Sequence, residues 1–168
     1  IFLIGMIFCQ EEKSLTKMDR FISNVGSIMK LENFKLPDVE GYYEVVTSKV
    51  RRATSQDEEM YFLQFVKKEK YSDKVASIAE EDLVDVIEAL DNLIIKSQSE
   101  DSSADYLEHK FTTEDGFQIG YGGSDINELL WFMTLEKYGD ATVLFKDCWT
   151  LQKALKAGQD KIKELKAS

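Results

Sequence analysis

The stretch YSDKVASIAEEDLVDVIEALDNLIIK, residues 71–96, carries the pattern from which the fold is read. Tyr71, Ser72 and Asp73 have turn chemistry, and 74–79 is a short β-rich run. From 80 the period changes. Leu83, Val86, Ile87, Leu90 and Ile94 recur at helical spacing and form one apolar stripe, which predicts an amphipathic helix over 80–96. Glu80, Glu81 and Asp82 occupy its first turn, where carboxylates meet the positive end of the helix dipole. A strand therefore runs directly into a helix.

Upstream, Leu15, Met18, Phe21, Ile22 and Val25 recur at helical spacing and predict a short N-terminal helix. Residues 26–36 read as a first strand, broken by Pro37-Asp38. YYEVVTSKVRR (42–52) and MYFLQFV (60–66) read as an antiparallel hairpin, with the polar 53–59 as its turn. Downstream of the helix, SQSEDSSA (97–104) has linker composition. Strands are expected over 106–111, 117–121, 129–136 and 141–146. The first two are joined by Glu114-Asp115-Gly116, a strong hairpin signal, and the last two by Tyr138-Gly139-Asp140. Asp147 is placed to cap a final helix carrying Leu151, Leu155, Ile162 and Leu165.

The two halves overlay. Tyr71-Ser72-Asp73 matches Tyr138-Gly139-Asp140, and Leu83, Ile87 and Ile94 match Leu151, Leu155 and Ile162 after one inserted residue. The expected fold is α+β, with two similar halves over 26–97 and 105–166. Each is an antiparallel four-stranded sheet unit followed by an amphipathic helix. That order resembles the Whirly and PC4-like group of single-stranded nucleic-acid-binding folds, most of all in Phe145-Lys146-Asp147-Cys148-Trp149, where a strand leads into an acidic and aromatic helix start. The likeness is one of element order, without a specific motif, and carries no function by itself. TTEDGFQIGYG (112–122) and LEKYGDATVLFKD (135–147) are similar to uncharacterised exported proteins of Bacteroidetes-type bacteria. That resemblance implies an envelope or secreted location and brings no site residues.

The chain has 168 residues, 43% of them hydrophobic, and one proline, which is enough to build a single core. Its formal charge of −10 repels polyanions at long range but leaves room for a local basic face. IFLIGMIFC (1–9) is too short to cross a bilayer as a helix. It reads as the apolar part of a signal peptide cut near Gln10, with a buried first strand as the other reading. Domain 11–168 is then periplasmic or secreted. Acylation of Cys9 is the weaker alternative, because Met6-Ile7-Phe8 lacks the small residues of such a site. Cys148 is left as the lone cysteine of the processed chain.

Catalytic chemistry finds few carriers. His109 is the one histidine. It shares a strand face with Leu107 and Phe111, away from Glu108 and Lys110, and reads as structural. One histidine and one cysteine do not make a closed zinc site, and Glu58-Glu59, Glu80-Glu81-Asp82 and Glu100-Asp101 lack calcium-loop spacing. Cys148 at a helix start reads as a packed thiol rather than a nucleophile. Gly120, Gly122 and Gly123 do not feed a helix, so a hairpin or bulge is expected rather than a phosphate loop. No catalytic residue, metal or cofactor is assigned.

One binding surface stands out. Tyr43 shares a face with Lys49 and Arg51 by the period-two rule, and Tyr61 with Lys67. Aromatic groups for stacking and cations for phosphates suit a single-stranded nucleic acid, whereas edge-strand protection is the structural reading. Tyr42, Tyr61 and Tyr121 are further candidates for exposed contacts, with Trp131 expected in the core. The expected function is a non-enzymatic envelope module for a protein or glycan ligand, capable of homo-oligomerisation. The alternative is a single-stranded nucleic-acid binder using Tyr43, Lys49, Arg51, Tyr61 and Lys67.

Overall fold

The computed structural model describes residues 14–56, 58–137 and 141–168. The apolar run 1–9, with Cys9, and the turn at Tyr138-Gly139-Asp140 lie outside them. The chain is α+β. Helix α1 (Lys17–Ile22) precedes strands β1 (Met29–Lys35), β2 (Val39–Glu40), β3 (Val45–Ser55), β4 (Glu58–Lys67) and β5 (Lys74–Ala79). β5 runs straight into α2 (Glu80–Ser97). Strands β6 (Leu107–Thr112), β7 (Gln118–Gly123), β8 (Leu130–Thr134) and β9 (Thr142–Phe145) follow, and α3 (Cys148–Ala167) closes the order.

Two antiparallel sheets result. The first has the order β1-β3-β4-β5, with β2 also paired to β3, and the second is the meander β6-β7-β8-β9. The first sheet thus has five strands where four were expected. Pro37 interrupts the edge without ending it. The Leu36 N–H bonds the Ser48 carbonyl at 3.0 Å, the Ser48 hydroxyl donates to the Pro37 carbonyl at 2.8 Å, and Val39 rejoins β3 opposite Val46.

Several boundaries move for identifiable reasons. The polar segment after Arg52 is strand, because Thr54 and Ser55 pair with Glu59 and Glu58. Gln56, directly after β3, takes φ 51°. Residues 26–28 precede β1 rather than belonging to it, since Gly26 takes φ +85°. Helix α1 is confined to six residues by a capping box between Thr16 and Asp19 and by a C-cap at Ser23, so Val25 lies outside it and is exposed.

The helices lie antiparallel, with the Gln152 amide donating to Asp91 at 2.9 Å near one end and the Lys166 ammonium on Glu80 at 2.8 Å near the other. Helix α2 touches β4 and β5 of the first sheet and β6 and β7 of the second, while α3 touches β2, β3, β4 and β9. One core forms between them. Leu83, Val86, Leu90 and Leu93 of α2 and Leu151, Leu155 and Ile162 of α3 meet Val46, Val50, Leu63, Phe65 and Ile78 from the first sheet and Ile119, Tyr121, Met133 and Phe145 from the second. Asp147 caps α3, accepting from the Thr150 N–H at 3.0 Å. The sheets are tied at their edges, where the Tyr42 N–H donates to the Leu144 carbonyl and the Val75 N–H to the Glu136 carboxylate. Among the described residues, no helix is long and apolar enough to cross a membrane.

Candidate ligand-binding sheet face

Alternation along β3 sends Val46, Ser48 and Val50 into the core and Val45, Thr47, Lys49 and Arg51 to the other side. Directly opposed residues of an antiparallel pair share a face. The register therefore builds rows across this outer face. Lys35 of β1 stands opposite Lys49, and Lys49 opposite Gln64 of β4, which meets Ser77 of β5. The next row is Asn33, Arg51, Phe62 and Ala79. Adjacent strands are about 5 Å apart and same-face residues about 7 Å apart along a strand, so Lys35, Lys49 and Arg51 form one compact cationic cluster.

Part of this face is covered. Met18, Phe21 and Ile22 of α1 pack on Ala53, Phe62 and Ala79, burying Phe62 completely. The uncovered part is the basic one. The Arg51 guanidinium donates to the Asn33 side-chain carbonyl at 2.9 Å. Among the described residues, Lys35, Lys49 and Arg51 form no ion pair, whereas nearby Lys68 is held by Asp73 at 2.6 Å. Burial, and then the positive charges of Arg51 and Lys68, push the Lys49 ammonium below its ordinary value. At the rim of α1, the Gln64 amide donates to Ser77 at 2.7 Å and its buried carbonyl oxygen has no hydrogen-bond partner. Tyr43, 79% exposed, stands before β3 with its ring edge-on to Tyr42, centroids 4.3 Å apart. The Lys146 ammonium lies 4.6 Å from the Tyr42 ring centre.

The five residues read from the sequence do not form one surface. Lys49 and Arg51 share one face of β3, whereas Tyr43 lies before the strand, next to Tyr42. Tyr61 and Lys67 occupy the opposite face of the same sheet, because the parity of β4 puts Tyr61, Leu63, Phe65 and Lys67 inward. The Tyr61 hydroxyl bonds Glu59, and Lys67 pairs with Glu44 at 3.2 Å and Glu69 at 3.3 Å. Nor do the basic groups gather at one hairpin end. Arg51 faces Phe62 in mid-strand, while Lys67 faces Val46 far from the turn. Lys35, Asn33 and Lys68 complete the cluster instead. Lys35 became identifiable only through the β1–β3 register, which its own sequence neighbourhood does not reveal.

A second polar group sits on the meander. Glu100, within the linker before β6, places Oε2 3.1 Å from His109 Nε2 and accepts a hydrogen bond from the Tyr121 hydroxyl. His109 lies opposite Tyr121, with ring centres 5.3 Å apart. The Tyr121 donation, and then the His109 charge, hold the Glu100 carboxyl below its ordinary range, and burial pushes the Tyr121 phenol up. Tyr121 is wholly buried, as Tyr61 nearly is, so neither offers the exposed ring expected of it. Trp131 is in the core. Among the described residues no thiol or further imidazole joins the Glu100 cluster, which fastens the linker to the sheet. The Cys148 thiol is buried and pushed up by that burial, the opposite of an activated thiolate. Among the described residues, no three His, Cys, Asp or Glu side chains gather as a metal site. Gly120, Gly122 and Gly123 belong to β7, where β6 approaches closely, and not to a loop that could cradle phosphate.

No protein family, curated protein or solved structure matches the chain.

Proposed function

We propose that the chain is a non-enzymatic binding module that takes an extended polyanion on the open outer face of the first sheet. The observation that carries this reading is the juxtaposition of Lys35, Lys49 and Arg51 on one face, with no carboxylate partner among the described residues, in a chain of net charge −10. Like charges brought together at a protein's own expense are favourable once an anion arrives. Tyr43, exposed before β3, is a ring available for a base or sugar to stack on. The absence of an enzyme assignment rests on His109 being engaged by Glu100, and on the burial of Cys148 and Tyr121.

Single-stranded nucleic acid is the first ligand of this class, in keeping with the resemblance of the sheet–helix order to Whirly and PC4-like folds and with a duplicated origin of the two halves. Export, inferred from 1–9 and from the likeness to exported bacterial proteins, favours an anionic glycan of the envelope instead. Titration of the full chain with a labelled single-stranded oligonucleotide and with a sulfated glycan, each at low and physiological salt, separates the two. Saturable binding weakened by salt is expected for one of them. Arg51→Ala should lower the salt slope by about one unit and weaken binding at every salt concentration. Binding of neither ligand at low salt refutes the function, and binding unaltered by Arg51→Ala and Lys49→Ala refutes the site.

A further inference from the structure

The solvent side of the helix pair carries opposite charges on its two halves. Helix α2 holds six acids (Glu80, Glu81, Asp82, Asp85, Glu88, Asp91) and one base, Lys96. Helix α3 holds five lysines and two acids. Some of this charge is answered within the chain, as in Lys166 on Glu80 and Lys17 on Glu81 and Asp82. The middle is not. Among the described residues, Asp85 and Glu88 on α2 and Lys153 and Lys156 on α3 are exposed and form no ion pair.

The same side exposes large apolar groups. Trp149 is 64% exposed and Ile95 66%. The Gln152–Asp91 bond fixes their relation. Trp149 lies almost one turn before Gln152 on α3, and Ile95 one turn after Asp91 on α2, so in an antiparallel pair they adjoin at the same end. By the same register, Glu88 and Lys156 stand at one level near the middle.

The geometry points to a two-fold dimer of this chain, closed through the helix faces with the symmetry axis parallel to the helices. A two-fold axis in the interface can run along the helices or across them. Across them, α2 meets α2 and acid meets acid. Along them, the acidic α2 of one protomer lies over the basic α3 of its partner, and the reverse. That axis preserves position along the helices. Glu88 then faces Lys156 of the partner subunit, and Ile95 faces Trp149 of the partner subunit, each contact occurring twice. A single operation satisfies both the charge pattern and the apolar anchors. Two helices about 27 Å long packed side by side also give a face of the order of the ~800 Å² per partner that a standard interface buries. Tryptophan is among the residue types enriched at the anchoring positions of interfaces.

Sedimentation of the full chain over a range of concentrations tests this. A concentration-dependent dimer is expected, weakened at least tenfold by Trp149→Ala. Glu88→Lys and Lys156→Glu should each weaken self-association at least tenfold, because each places like charges opposite one another twice. Mixing these two variants should restore a dimer, since every contact then joins opposite charges. The mixture separates a surface effect from misfolding, which mixing does not repair. A chain that stays monomeric at every accessible concentration overturns the proposal. So does a dimer indifferent to Trp149→Ala and to both reversals, or one that mixing fails to restore.

Discussion

Lys35 of β1 stands directly opposite Lys49 of β3 on the open face of the first sheet. Like charges in this relationship destabilise a sheet, and Lys49 also carries the effects of burial and of Arg51 and Lys68. Replacing Lys49 with Gln should stabilise the fold by about 0.5 kcal/mol at neutral pH while weakening polyanion binding. The pH dependence has a definite sign. The folded-state value of Lys49 lies below its ordinary 10.5, so the native chain releases this proton before the unfolded chain does. Stability therefore rises with pH between the two values, and the advantage of Lys49→Gln should shrink there. Denaturant midpoints of both proteins at neutral and alkaline pH measure this. A variant less stable than the parent at neutral pH would contradict it.

What was legible in the sequence was local. The β5–α2 junction, the Asp147 cap and the hairpin at Asp115-Gly116 were each readable from neighbouring residues, because stripe, cap and turn chemistry act over a few positions. Faces and partners were not. Lys49 and Arg51 were correctly placed together because both lie on one strand. Tyr61 and Lys67 share a face for the same reason, but that this face lies opposite that of Lys49 and Arg51 depends on the register of β4 against β3, which no residue near Lys67 encodes. The partnership of Glu100 with His109 joins a segment of linker composition to a strand across a gap that only folding closes. Thr54 and Ser55 read as turn by residue type, yet pairing with Glu59 and Glu58 overrides that preference.

The Glu100 cluster should appear in acid unfolding. Glu100 is held below its ordinary value by Tyr121 and His109, so its stabilising contribution is complete above the unfolded-state value and is lost as pH falls through the lower folded-state value. Glu100→Gln should be less stable than the parent at pH 7, with the difference narrowing as the pH falls into and below the carboxylate range. Urea unfolding from neutral to acid pH reads this directly. A difference that stays constant across that range would mean that the carboxylate's charge is not what matters.

Gly120 and Gly123 lie three residues apart on β7 and should respond very differently to a methyl group. A Cβ at Gly120 would collide with the His109 carbonyl oxygen and come within 2.9 Å of the Lys110 Cα and the Phe132 ring. Two of those contacts are backbone, so β6 itself must move. Gly120→Ala should cost about 3 kcal/mol. At Gly123 the nearest atom is a Leu129 methyl at 3.4 Å, an ordinary contact. Gly123→Ala should change stability by less than about 0.5 kcal/mol. Chemical denaturation of the two variants checks the contrast, and equal effects would mean that β6 does not pass as close to Gly120 as its register implies.

Helix α1 is fastened from outside its own sheet. The Asp115 carboxylate, in the β6–β7 turn, accepts the Lys17 N–H at 2.9 Å, and the Lys17 ammonium reaches Asp82 at 2.7 Å. Burial raises Asp115 above the ordinary carboxylate value, partly offset by the Lys17 N–H. A raised folded-state value means that the ionised form at neutral pH works against stability, and that this cost is relieved as the pH falls through it. The acceptor, rather than the charge, is what α1 requires. Asp115→Asn keeps an acceptor for the Lys17 N–H and should be tolerated at neutral pH, whereas Asp115→Ala leaves that donor unmet and should cost about 1 kcal/mol. The loss should be local. Amide exchange should rise in α1 and over Ala53, Phe62 and Ala79, which α1 covers, while Leu83, Leu90 and Ile162 in the main core keep their protection. If exchange rises uniformly through both regions, α1 is part of the cooperative core and not a separately fastened cover on the sheet.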